Sequence, residues 1–62
     1  MCIDKRELYK TATIARSGSI FVFGEIVRIR VKYRTPQCYI YECRLGDRVA
    51  NYAEGFLKDF CL

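Results

Sequence analysis

Residues 48 to 61 read Arg48-Val49-Ala50-Asn51-Tyr52-Ala53-Glu54-Gly55-Phe56-Leu57-Lys58-Asp59-Phe60-Cys61, and the period found in them decides the fold. Apolar side chains stand at Val49, Tyr52, Ala53, Phe56, Leu57, Phe60 and Cys61. The steps alternate between three and one, which is the stripe of one helix face. Asp47 precedes the run, where it would cap the free N–H groups of a first turn. Glu54 and Lys58 are spaced i, i+4 on the polar side. Gly55 is the poor helix former inside, at a cost of about 1 kcal/mol relative to Ala. The pattern predicts a helix over residues 48–61. A rival reading divides the same residues into a fourth strand (49–53), a short helical turn (54–57) and a fifth strand (58–62). The seven-position stripe favours the helix.

Upstream the period is two. Val27-Arg28-Ile29-Arg30-Val31-Lys32-Tyr33-Arg34 alternates apolar and cationic residues without a break. A strand sends successive side chains to opposite faces, so this one is apolar on one side and cationic on the other. Thr35-Pro36-Gln37 breaks the pattern, and residues 38–45 (CYIYECRL) read as the next strand. One antiparallel register serves both. It sets Val31 opposite Tyr41, Ile29 opposite Cys43 and Val27 opposite Leu45, all facing one way. The same register sets Arg30 opposite Glu42 and Arg28 opposite Arg44 on the other face. Residues 8–15 (LYKTATIA) read as a first strand. Arg16-Ser17-Gly18-Ser19 is a turn signal. Ile20 to Phe23 are apolar on both faces, and Gly24 marks a bulge or bend.

The expected fold is therefore α+β: a three-stranded antiparallel sheet with a C-terminal helix packed on its odd-numbered face, Val27, Ile29, Val31, Tyr33, Tyr41, Cys43 and Leu45. The alternative is a five-stranded SH3-like barrel, as the rival division of residues 48–62 requires. Either way 62 residues make a single domain, one that buries only about 60% of its unfolded surface. The hydrophobic fraction of 52%, with five tyrosines and four phenylalanines, suits a folded chain with apolar side chains to spare for a homodimer.

Eleven Lys/Arg against seven Asp/Glu give a net charge of +4. That balance suits a nucleic-acid partner or an anionic surface. No histidine is present, which removes the commonest general base. No Ser or Cys stands beside an evident base, no Gly-rich phosphate loop occurs, and the carboxylates are scattered. The chain is expected not to be an enzyme and to need no cofactor. Cys2, Cys38, Cys43 and Cys61 are separated by 36, 5 and 18 positions. They do not make the paired ligand set of a zinc site, and Cys43 and Cys61 fall on expected apolar faces as small core residues. Asp4, Lys5, Arg6 and Glu7 interrupt any signal peptide, and no apolar run spans a bilayer. A cytoplasmic location with free thiols and no membrane partner is expected.

The candidate site is the cationic stripe. Arg28, Arg30, Lys32, Arg34 and Arg44 would meet phosphates of DNA or RNA, since arginine offers a planar fork for bidentate contact. Tyr39, near the hairpin tip, would stack on a base. The strand-strand-strand-helix order with Arg28, Arg30, Lys32 and Arg44 on the open face resembles the arm-type DNA-binding domains of phage and transposon integrases, and the plant AP2-type domain. In size and in its Lys/Arg/Tyr-rich strands the chain is also similar to small accessory proteins of prophages and plasmids. The resemblance implies a nucleic-acid-binding module. The alternative function is a protein-interaction module, a small inhibitor or adaptor whose sheet face meets an acidic partner.

Overall fold

The computed structural model describes residues 5–62, so Cys2 and Asp4 lie outside the described residues. A 3-10 turn at Lys5–Glu7 leads to β1 (Thr11–Ile14), β2 (Ile26–Arg34), β3 (Tyr39–Leu45) and β4 (Arg48–Ala53). A second 3-10 turn, Glu54–Phe56, leads to β5 (Leu57–Cys61). The strands form one five-stranded antiparallel sheet in the order β4-β3-β2-β1-β5.

The expected α+β fold is thereby corrected, because no C-terminal helix is present and the sheet has five strands, not three. Residues 48–61 divide to within a residue where the rival reading divided them. The helical period arose from two irregularities. The 3-10 turn ends at the exposed Phe56, and the buried Leu57 directly after it opens β5. In β5, Thr13 pairs with Lys58 and Thr11 with Cys61, so β5 carries one residue more than β1. Asp59 lies in that bulge, with a left-handed φ of 51°. The extra residue turns Leu57 and Phe60 to the same side although they are three apart. Leu57 is buried, and Phe60 packs against the core. Val49, Phe56 and Cys61 are exposed and do not belong to an apolar stripe.

Asp47 likewise is a turn residue, not a helix cap. Leu45 pairs with Arg48, leaving Gly46-Asp47 as a two-residue hairpin loop. Gly46 takes a positive φ of 63° and Asp47 does not, which is the type II′ pattern that matches strand twist. Glu54, expected to pair with Lys58, instead accepts the Tyr39 backbone N–H at 2.9 Å and meets Arg6 at 3.2 Å. The β2–β3 turn is held by Thr35, whose Oγ1 accepts the Cys38 N–H at 3.1 Å and donates to the Cys38 carbonyl at 3.0 Å.

The predicted register of β2 and β3 is present from Arg28↔Arg44 to Val31↔Tyr41. Past that point the strands slip, and Tyr33 pairs with Ile40 and Arg34 with Tyr39. Lys32 is the extra residue of this bulge. Tyr33 therefore leaves the apolar face on which the unbroken alternation placed it.

Ala12, Ile14, Val27, Ile29, Tyr39, Tyr41, Cys43 and Leu57 form the core, with Phe21 inserted from the loop over residues 15–25. Ile20 to Phe23 are thus loop, with Phe21 fully buried and Val22 and Phe23 exposed. The sheet curls until β5 faces β3, and the rings of Phe60 and Tyr41 lie 5.5 Å apart. The loop is clamped by Arg48, which grips Glu25 with two contacts of 2.8 and 3.1 Å and donates to the Ile20 carbonyl at 3.2 Å.

Gly18 sits where this loop crosses β4. A Cβ there would lie 2.3 Å from Tyr52 Oη. The Tyr52 ring is braced edge-on by Phe21 and Phe56 at 5.8 and 5.9 Å, so moving it aside disturbs both contacts. We predict that Gly18→Ala lowers the unfolding free energy by about 1–3 kcal/mol, the usual cost of overpacking. Adding Tyr52→Phe, which removes the clashing oxygen, should restore most of the loss in urea denaturation. Equal, additive losses in the two single variants would contradict this contact.

Candidate nucleic-acid interface

The even-numbered side chains of β3, and those of β2 as far as Lys32 in the bulge, point away from the core. Arg28 stands opposite Arg44, and Arg30 opposite Glu42. On the far side of β3, Glu42 faces Asn51 of β4 and Arg44 faces Val49. The bulge keeps Lys32 on this outer face and adds Tyr33 to it. Glu42 is the centre of the arrangement. It is only 9% exposed, because long cationic side chains lie over it. Arg30 Nη2 is 3.4 Å and Lys32 Nζ 3.6 Å from Oε1, and Arg44 Nη2 is 3.5 Å from Oε2.

Burial works against ionisation of Glu42. The hydrogen bond from Arg30 and the charges of Arg30, Lys32 and Arg44 outweigh it and hold the carboxyl below its ordinary range. The carboxylate is therefore an anion at neutral pH, shared among three cations. Each of those contacts is long for a hydrogen bond, and each cation is largely in water. Glu42 itself is buried, so it must keep cations over it, but with three sharing it one guanidinium can turn to another anion while the others keep the carboxylate paired.

Arg28 has no carboxylate partner among the described residues. Its cross-strand neighbour is another arginine, and like charges directly opposite repel. Arg28, Ile29, Arg30, Glu42 and Arg44 line a shallow cavity of about 300 Å³. Its rim offers three guanidinium forks of the geometry that suits phosphate or carboxylate oxygens. With Lys32 included, the face carries four cations, three of which share its one carboxylate.

Two expected site residues are not part of this face. After the bulge Arg34 points to the core side, with its guanidinium 5.8 Å from the Tyr39 ring centroid. Tyr39 itself is only 2% exposed. Its ring lies under Arg6 at 4.4 Å, and its hydroxyl donates to Glu7 at 3.2 Å. It cannot stack on a base. Tyr33, which the alternation assigned to the core, is 53% exposed beside Lys32. Only the slipped pairing reveals the exchange, and no glycine marks the bulge in the sequence.

The cysteines play separate parts. Cys43 is fully buried, and its thiol is pushed up to about 11 by that burial and then by the charge of Glu42. Cys38 is half-buried, and Cys61 is exposed where a core position was expected. Among the described residues no group of His, Cys, Asp or Glu is placed to hold a metal ion, and no helix is long and apolar enough to cross a membrane. No family model matches the chain, nor does any curated protein or solved structure.

The carboxylates carry a pH dependence. Glu25 is held low by the Arg48 hydrogen bond and the Val22 N–H, and Glu42 is held low as described. A carboxylate whose folded pKa lies below its unfolded value stabilises the fold above the unfolded value. That contribution is lost as pH falls through the folded one. Urea midpoints should therefore hold steady from neutral pH to the ordinary carboxylate range and fall below it. Glu25→Gln with Glu42→Gln should lower the midpoint at pH 7 and flatten the acid fall. An acid limb unchanged by the pair of substitutions would contradict this assignment.

Proposed function

We propose that the protein is a non-enzymatic binding module that contacts DNA or RNA through the outer face of β2 and β3. Arg28, Arg30, Lys32 and Arg44 are the phosphate-contacting residues. The observation that carries this reading is the opposed pair Arg28 and Arg44 beside a carboxylate already shared by three cations. A phosphate between the two guanidinium groups would relieve their repulsion and accept from both. The spacing also suits a chain of phosphates, since alternate residues on a strand lie roughly 6.5–7 Å apart. Glu42 limits the field of the face and sets the resting positions of the cations. The reading places the protein in the cytoplasm, where nucleic acid is at hand and Cys38, Cys43 and Cys61 stay reduced.

The test is binding of oligonucleotides across a salt series. Three or four neutralised phosphates should give a slope of log affinity against log salt of roughly −2 to −4. Arg28→Gln with Arg44→Gln should lower affinity at low salt by roughly tenfold or more and flatten that slope. Arg34→Gln removes a charge from the other side and should leave both nearly unchanged. Glu42→Gln removes the one negative charge and should tighten binding. Equal losses from Arg34→Gln and Arg28→Gln, or no binding at low salt, would overturn the proposal. Recovery of an acidic protein in place of nucleic acid would replace it with the interaction-module reading.

A further inference from the structure

We propose that Tyr33 is a stacking platform for an unpaired base, so that the ligand of this face is single-stranded nucleic acid. The inference rests on the binding face proposed above and names its ligand class. Tyr33 reaches the face through the bulge. Val31 pairs with Tyr41 and Tyr33 with Ile40, leaving Lys32 as the extra residue. Lys32 and Tyr33 consequently project on the same side as Arg30. The neighbouring tyrosines behave otherwise: Tyr39 and Tyr41 are in the core, and Tyr9 and Tyr52 pack against it. Tyr33 stays 53% exposed. Among the described residues neither a ring nor a cation packs on it. Its cross-strand neighbour is the half-buried, apolar Ile40.

An exposed ring beside a row of cations has a definite chemical complement. The cations take phosphates, and the ring takes a flat apolar surface that lies within a nucleotide of them. A duplex offers its phosphates but keeps the faces of its bases inside the stack. A single strand offers both, and stacking on a tyrosine accepts any base. The face therefore reads as a phosphate track that ends in one stacking position, with affinity for single strands and little choice of sequence.

The probes are a dT oligomer, an abasic strand of the same length and phosphate count, and a duplex, each against the wild-type chain and three variants. The dT strand should bind more tightly than the abasic strand and the duplex. Tyr33→Ala and Tyr33→Leu should each weaken dT binding roughly tenfold. Both should leave abasic and duplex binding and the salt slope unchanged, and Tyr33→Phe should retain the wild-type affinity. Tyr33→Leu keeps apolar bulk on the bulge, which separates a lost ring from a disturbed strand. Abasic binding as tight as dT binding, or dT affinity indifferent to Tyr33→Ala, would overturn the stacking role while leaving the phosphate face standing. Failure of all three probes at low salt would overturn both.

Discussion

The rings of Tyr41 and Phe60 meet although β2 and β1 lie between their strands in the sheet. One sheet must supply both walls of its own core, since no α-helix among the described residues covers it. That requirement governs the rest of the molecule. The sheet has to curl, Phe21 has to enter from the long loop, and β5 has to present both Leu57 and Phe60 inward. The left-handed Asp59 makes the last of these possible by adding a residue to β5. Closure also fixes what stays outside. With every odd position of β2 up to Val31 turned inward, Arg28, Arg30 and Lys32 are left in water, facing Glu42 and Arg44 on β3.

The central hairpin was legible because two independent signals agreed. The apolar alternation and the pairing of Arg30 with Glu42 called for the same register, and a slip of one residue would have broken both. The spacing of residues 48–61 imitates a helix because irregularities of the strands produce it. A 3-10 turn and a bulge each shift the side-chain phase by one position, and together they imitate a helical step. Gly46-Asp47 carried the corrective signal. A Gly-Asp pair between two apolar runs is a hairpin loop, and a helix starting at Arg48 leaves the left-handed glycine unexplained.

The same physics sorts the site residues. Arg28, Arg30 and Lys32 share a face because they lie before the β2 bulge or within it, and Arg44 joins them from β3 opposite Arg28. Arg34 lies beyond it and turns toward the ring of Tyr39. Sequence alone offered no glycine or proline to mark the slip, so Tyr33 and Arg34 were assigned to each other's sides. Glu42 was legible as a cross-strand partner of Arg30. Its wider part as the shared anion of three cations required the bulge that holds Lys32 within 3.6 Å.

The outer face of β2 and β3 is where a single nucleic-acid strand is proposed to lie. Backbone amide shifts followed by NMR during titration with a dT oligomer test this most directly. Shifts should concentrate at Arg28, Arg30, Lys32, Tyr33, Glu42 and Arg44, with the loop over residues 15–25 and the Glu54–Phe56 turn unmoved. Shifts centred on that loop and turn, or none at saturating oligomer, would contradict it.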